Sequence, residues 1–389
     1  MNFSQKTISK KKRCMLKGKL RQRGFDKWRF FCNGRSQTTG EERLFFLELY
    51  LLNPGISPGI PCFEFKKNSS VSAAELQNAL TGSGAPDAIK DTPRAVSSYG
   101  AVRAGILGQN GKTVVNFFPA EAFNPLYKSF DFTVGPCSFS NGGLKGGVTL
   151  SSEENLLHPE YFCDSGMISW NLLYEQLIGF TKGFSGKKQQ WFPDGCKTVF
   201  RGSFSVDDEL YTVVPDKSFG YMDRSWGGSY DPSWFHISAA EMTSIITGRK
   251  LKNSCFAVQG CYTNRLSVVS MLEDRSFVFN AGVKSHKYFV TWECTQIPED
   301  TDEEKLHWSV SVHDRNTVID IDLFSKTDEL CMGMYEIPSG GRLLQVLRSG
   351  SADGEIRYYN KIKKNLELIE HAHISNAVCE FGAMEKPGK

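Results

Sequence analysis

Between Gly220 and Glu241 the chain gathers a carboxylate, two indoles, an imidazole and a second carboxylate: Gly220-Tyr221-Met222-Asp223-Arg224-Ser225-Trp226-Gly227, then Trp234, His236 and Glu241. The flanking residues alternate apolar and polar, as half-buried β-strands do. If Asp223 faces an apolar cavity lined by Trp226 and Trp234, its carboxyl group loses hydration, its pKa rises, and it keeps a proton for delivery to an electron-rich substrate. Indole faces beside it could stabilise a developing cation. The same residues also fit a buried, hydrogen-bonded Asp at a strand end with tryptophans filling a core. The residues leave both readings open.

Other constellations fall away on chemical grounds. Gly111-Lys112-Thr113 resembles the end of a phosphate-binding loop, but Ile106 stands where that loop needs glycine, so a turn is expected. Gly55-Ile56-Ser57-Pro58-Gly59 fits the spacing of a hydrolase nucleophile elbow, yet Pro58 lacks the backbone N–H that would serve as oxyanion donor. His371 and His373 share a strand face without a third metal ligand nearby in sequence, and read as paired surface histidines. His307 and His313 lie on a polar strand face with two serines between them, the pattern of a solvated outer face.

These residues must be held by a scaffold, and composition narrows which kind. At 389 residues, 12% aromatic and 23% charged with 36 glycines, the chain suits two domains or one large composite β unit. Residues 1–29 hold eleven Lys and Arg against Asp26 alone, so the net charge of +3 is an N-terminal property. The run Lys10-Lys11-Lys12-Arg13 could touch an acidic membrane surface, although a solvated disordered tail over 1–17 accounts for it. No nucleic-acid recognition module is present, so no nucleic-acid partner is expected. No apolar run approaches the ~18 residues of a membrane span, and no secretory leader is recognisable. Eleven cysteines without a C-x-x-C pair fit reduced thiols. The expectation is a soluble, cytoplasmic protein.

Along the chain, Trp28–Cys32 and Leu44–Leu52 read as a strand pair, the second apolar on both faces. A capping box at Ser72 begins a short helix to Leu80. The Asn68-Ser69-Ser70 sequon carries little weight without a secretory leader. Asn110-Gly111 is expected to supply two positive φ angles to a hairpin joining Ala101–Leu107 and Thr113–Phe118. The glycine-rich stretch 135–147 reads as a mobile loop or a bulged strand, and Leu172–Phe180 as helix or buried strand. Polar, turn-rich residues 182–195 mark the best internal boundary, giving an N-terminal half at 18–195 and a C-terminal half at 196–389. Beyond it, short strands at hairpin spacing imply an antiparallel barrel or sandwich. In His307–His313, Trp308, Val310 and Val312 share one face. An acidic loop spans 299–305.

The central stretch resembles the Gly-Tyr-x-acid-x-x-Trp-Gly strand end of tocopherol cyclases, which a second tryptophan follows, as in Pro232-Ser233-Trp234 here. It is also similar to the Tyr-x-Asp-x-Asn-Trp-Gly element of carotenoid 1,2-hydratases. Phe25-Asp26-Lys27-Trp28-Arg29-Phe30 resembles the opening strand of that superfamily, Ile56–Ile60 a turn after its second strand, and Trp170–Gly179 with Glu175 the strand before the motif. Ser225 stands where the cyclases carry a second acid, and their glycine-rich tryptophan ending is absent after Phe381-Gly382. The resemblance implies an all-β fold of two lipocalin-like halves, a superfamily that also includes fungal decalin-forming Diels-Alderases. It implies an intramolecular cyclase or hydratase that protonates an alkene of a prenylated, isoprenoid or polyene substrate without metal or cofactor. Asp223 would be the proton donor, Trp226 and Trp234 would line the pocket, and Tyr221, His236 and Glu241 would orient donor or substrate. Trp170 and Glu175 would contribute to substrate binding. A non-catalytic carrier of a hydrophobic ligand and a Diels-Alderase-type pericyclase are the alternatives.

Overall fold

The computed structural model describes residues 13–56, 96–181, 183, 188–215, 219–230, 233–261, 265–281, 287–297, 304–340 and 343–384. The basic run before residue 13, the sequon, the helix expected at 72–80, and most of the Ile56–Ile60 turn and the acidic loop lie outside them. The first sheet contains β1 (Phe25–Ser36), β2 (Glu42–Leu52), β3 (Tyr99–Leu107), β4 (Lys112–Phe118), β5 (Phe132–Val134), β6 (Cys137–Ser140), β7 (Gly143–Leu150), β8 (Gly166–Ile178), β9 (Gln189–Gly195), β10 (Lys197–Val206), β11 (Glu209–Val213) and β12 (Gly220–Gly227). The second contains β13 (Ser233–Ala239), β14 (Glu241–Ser244), β15 (Cys255–Cys261), β16 (Arg265–Leu272), β17 (Arg275–Phe279), β18 (Phe289–Ile297), β19 (Lys305–His313), β20 (Thr317–Lys326), β21 (Cys331–Glu336), β22 (Leu343–Ile362) and β23 (Asn365–Met384). The fold is all-β and antiparallel. No described helix is long and apolar enough to cross a membrane.

The first sheet curls until β4 lies against β7. There Asn116 bridges the seam with its side chain: Nδ2 donates to the Thr149 carbonyl at 2.8 Å, and Oδ1 accepts from the Thr149 N–H at 3.2 Å. An amide side chain thus replaces the ladder bonds that the two strands do not make. The interior is filled by rings, including Phe30, Phe45, Phe123, Phe130, Phe139 and Trp170, with Leu47, Leu49 and Leu172 between them. The second sheet wraps a separate core of Phe235, Ile237, Val258, Trp308, Val310, Ile356 and Ile374. As expected, Trp308, Val310 and Val312 are the buried face of β19.

Several expectations change. The change of sheet falls between Gly227 and Ser233, not at 195/196, because the turn-rich segment 182–195 leads into β9, which returns to pair with β12. Residues 189–195 of that segment are thus a strand of the first sheet, paired with β12. Residues 13–17, expected to belong to a disordered tail, are part of the fold, since Cys14 and Leu16 are buried and Met15 N–H donates to Asp26 Oδ2 at 2.8 Å. In the β3–β4 hairpin the positive φ angles fall on Gly108 (99°) and Asn110 (54°) rather than on Gly111. Where two readings stood open, the strand one holds: residues 135–147 contain β6 and the start of β7, joined by a tight turn, and 172–178 belong to strand β8. Residues 343–362 form one long strand, β22, with irregular register against β23. The cysteines whose side chains are described are free thiols.

Gly100 in β3 shows how tightly the first core is closed. A Cβ there would lie 1.9 Å from Phe123 Cε2. Gly100→Ala is therefore expected to lower the unfolding free energy by about 1–3 kcal/mol in a urea titration, the usual cost of overpacking. An unchanged midpoint would mean that Phe123 can move aside freely.

Candidate functional site

The two-residue period of a strand sends neighbouring side chains to opposite faces. In β1, Trp28, Phe30 and Cys32 enter the core of the first sheet, while Phe25, Lys27, Arg29 and Phe31 face the second sheet. In β2, Phe46, Glu48 and Tyr50 share that outward face, and in β12 Tyr221, Asp223 and Ser225 do so. Trp234 and His236 of β13, Gln259 of β15, Arg348 of β22 and Glu380 of β23 meet them from the second sheet. The two sheets therefore enclose a polar layer flanked by two apolar clusters, one containing Phe31, Trp191 and Phe219, the other Phe25, Tyr50 and Leu344.

Arg29 and Asp223 are direct partners in the β1–β12 ladder. Arg29 Nε donates to Asp223 Oδ1 at 2.8 Å, Nη2 donates to Oδ2, and Nη1 donates to Glu380 Oε2 across the gap between sheets. Glu380 Oε1 lies 2.8 Å from Arg348 Nε, Arg348 Nη2 donates to Glu48 Oε2 at 3.1 Å, and Arg103 Nη1 donates to Glu48 Oε1 at 2.8 Å. The result is an unbroken chain of alternating sign, Asp223, Arg29, Glu380, Arg348, Glu48 and Arg103, that crosses between the sheets twice. Every member is buried. Trp191 Nε1 at 2.7 Å and Tyr221 OH at 2.8 Å also donate to Asp223 Oδ2, and Tyr335 OH donates to Glu48 Oε2 at 2.8 Å.

This geometry decides the charge states. Burial alone would raise the Asp223 pKa, but Arg29, by charge and hydrogen bonds, then His236 and Trp191, outweigh it and hold the carboxyl at about 2. Asp223 is ionised, so the proton expected on it is absent. Glu48 is likewise held at about 2 against burial by Lys27, Arg348, Arg103 and Tyr335, and Glu380 is lowered against burial by Arg29 and Arg348. Burial, reinforced by Arg29, lowers His236 to about 3 and leaves it neutral. Burial also pulls Lys27 down to about 8, with Glu48 opposing.

Lys27 differs from the other cations. Its Nζ is 4.0 Å from Glu48 Oε2, and it faces the rings of Trp234 at 4.5 Å and Tyr335 at 4.7 Å, with Tyr230 at 5.9 Å. Lys27 Nζ, Trp234 Nε1 and His236 Nδ1 are buried with no hydrogen-bond partner. With Lys27, the ion chain contains four cations against three carboxylates, while a further buried carboxylate, Glu336 next to Tyr50, accepts from Ser97 Oγ at 2.8 Å.

The structure brings Asp223, Tyr221, Trp234 and His236 together and places the other sequence candidates elsewhere. Trp226 is on the opposite face of β12 from Asp223, because the two are three residues apart on a strand; it packs 5.4 Å from the guanidinium of Arg224, which pairs with Asp26. Trp170 is in the core of the first sheet, 6.2 Å from Phe45. Glu175 is on the exposed face of β8. Glu241 sits on β14, where it accepts from Asn376 Nδ2 at 2.9 Å and pairs with Lys250. The expected cavity between Trp226 and Trp234 is replaced by direct packing of Lys27 and Arg29 on Trp234. A hollow of about 140 Å³ lies instead among Asn33, Glu42, Leu107, Glu329 and Asn376.

Lys27, Arg29, Glu48, Trp191, Arg348 and Glu380 were not singled out from the sequence. A signal existed: single charges at alternate positions within aromatic stripes, as in Phe25-x-Lys27-x-Arg29-x-Phe31 and Phe46-x-Glu48-x-Tyr50. In a strand covered on both faces, such charges are expensive unless they find partners.

No family model and no curated protein matches the sequence. Among solved structures the chain is similar to kievitone hydratase from Nectria haematococca, with 12% identity over 91% of this chain and 88% of that chain and a TM-score of 0.45. It is also similar to CghA, with 9% identity over 95% of this chain and 90% of that chain and a TM-score of 0.41.

Arg29→Met is expected to cost about 3–5 kcal/mol in urea unfolding, since Asp223 and Glu380 would then be buried with no cation between them. A loss below about 1 kcal/mol, the scale of exposed pairs, would show that this guanidinium is not central. Stability should also fall as pH drops. His236 takes a proton in the unfolded chain below about 6.5 but resists until about 3 when folded, and Asp223 and Glu48 extend the loss towards 2. In His236→Gln the decline between pH 6.5 and 3 should be shallower when midpoints are compared.

Proposed function

We propose that the protein is an enzyme of isomerase or lyase type that acts on a hydrophobic, unsaturated small molecule in the layer between the two sheets. The observation that carries this reading is the buried ammonium of Lys27, set among aromatic rings without a hydrogen-bond acceptor. A buried charge of this kind costs stability and recurs where chemistry needs it. The rings of Trp234, Tyr335 and Tyr230 would pack on hydrocarbon, while Lys27 Nζ and Trp234 Nε1 would donate to a substrate oxygen.

The charge states favour polarisation of that oxygen over protonation of an alkene by Asp223. With Asp223, Glu380 and Glu48 held ionised by arginines and Lys27 left without a hydrogen-bond acceptor, negative charge developing on a carbonyl oxygen would be stabilised by donors already in place. Addition of water to a conjugated carbonyl develops charge in that way, and so, in part, does cycloaddition of a diene to an alkene conjugated with a carbonyl. Asp223 then positions Arg29, Tyr221 and Trp191 without carrying the transferred proton. The lumen of the first barrel is filled by aromatic side chains, and in the layer Lys27 and Arg29 pack directly on Trp234, so a substrate reaches Lys27 only when the packing between the sheets opens.

Mass spectrometry of lipophilic compounds that copurify with the protein would identify the substrate class, and turnover of those compounds gives the test. Lys27→Met should lower turnover about 100-fold or more while leaving stability unchanged or raised, because it replaces a buried cation by an apolar side chain of similar length. In the native enzyme, turnover should decline as pH rises through about 8, where Lys27 loses its proton. Full activity in Lys27→Met, with activity lost in Asp223→Asn, would return the role of acid to Asp223.

A further inference from the structure

One end of the second sheet combines exposed aliphatic side chains with basic residues. The β22–β23 hairpin runs past its neighbour β20, whose pairing to β22 stops at Thr317 and Asn360. Residues 362–368 are consequently exposed on both faces of the hairpin. The overhang carries large aliphatic side chains: Ile362 is 56% exposed, Leu366 53% and Leu368 45%. Lys361, Lys363 and Lys364 surround them. The antiparallel order of the strands brings other turns to this end, and they repeat the combination. Ile245 and Ile246 are 48% and 56% exposed in the turn after β14, beside Arg249, Lys250 and Lys252, and Phe289 is 70% exposed at the start of β18. Arg275 at the start of β17 reaches Asn360 Oδ1 at 3.2 Å, which ties the β16–β17 turn to the hairpin.

Over 245–254, 273–275, 287–289, 314–316 and 361–367, nine Lys and Arg stand against four carboxylates. A solvated face would carry the charges without the isoleucines and leucines. A protein-binding patch would gather the apolar side chains at its centre, whereas here they stand at separate turn tips with cations around each. Aliphatic tips among lysines match a lipid surface with anionic headgroups: the cations meet the headgroups and the side chains enter the acyl boundary.

We propose that this end of the second sheet docks on anionic membranes, by contacts separate from the N-terminal basic run and independent of the chemistry assigned to the layer between the sheets. The full-length chain should co-sediment with phosphatidylcholine vesicles containing about a third phosphatidylserine, bind pure phosphatidylcholine far less, and release as salt is raised. The double variant Lys363→Gln/Lys364→Gln should weaken binding about thirty-fold, at roughly 1 kcal/mol for each cation near the surface. Ile362→Ser/Leu366→Ser should weaken it at least ten-fold with the circular-dichroism spectrum unchanged. Failure to bind anionic vesicles at low salt would overturn the proposal. So would unchanged binding in both variants, which would assign the contact to the N-terminal run. Loss in the lysine variant alone would point to a soluble polyanion as partner and would overturn it as well.

Discussion

Arg29 brings a positive charge into a space from which water is excluded, and the arrangement of both sheets answers to it. Its guanidinium has donors on two sides, and each side meets a carboxylate from a different sheet, Asp223 from β12 and Glu380 from β23. Asp223 would not be tolerable in that place without Arg29, Glu380 would be left with Arg348 alone, and Arg29 would not be tolerable without a carboxylate on either side. The alternating chain extends from this centre through Arg348 and Glu48 to Arg103, so each ion owes its environment to the next. Lys27, attached at the Glu48 end by a longer contact, is the member whose charge this lattice leaves least satisfied.

The same strand serves two incompatible environments. Successive residues of β1 alternate between a ring-filled core and the ionic layer, so Trp28 and Arg29 are sequence neighbours in opposite surroundings. Arg224 and Asp26 make a second buried ion pair on the core side of the same ladder, with Arg224 lying 4.1 Å over the Trp28 ring. One pair of strands thus positions charge on both of its faces. This explains why the segment Asp26–Arg29 is polar at three of four positions and yet wholly buried.

Much of the fold was legible in local pattern. Alternation in His307–His313 named the buried face of β19, and the apolar β2 announced a strand covered on both sides, of which Glu48 was the unread exception. The glycines of 135–147 left two readings open because tight hairpins and mobile loops use the same residues; the structure has strands there. The site was legible only in part, and for a physical reason. Asp223, Tyr221, Trp234 and His236 cluster in sequence and in space, but the protonation state of Asp223 depends on Arg29, nearly two hundred residues away. Burial and ion pairing shift a carboxyl in opposite directions, and spacing along a chain does not tell which prevails. Trp226 was misplaced by treating sequence proximity as a shared face; the strand period sends it to the other side.

The crossing of the ionic chain between sheets bears on how the molecule comes to be folded. The first sheet is complete at Gly227, so during synthesis it can form while Lys27, Arg29, Glu48 and Asp223 still lack Glu380 and Arg348, the partners nearest the other end of the chain. Until β22 and β23 arrive, that surface presents aromatic rings and mismatched charge to water. Docking of the second half is then a late step of high sequence separation, slow by loop-closure entropy, and the half-formed protein is the species most exposed to association with its own copies. The ionic layer that joins the halves thereby makes them a single cooperative unit in which neither half reaches its final environment before the other.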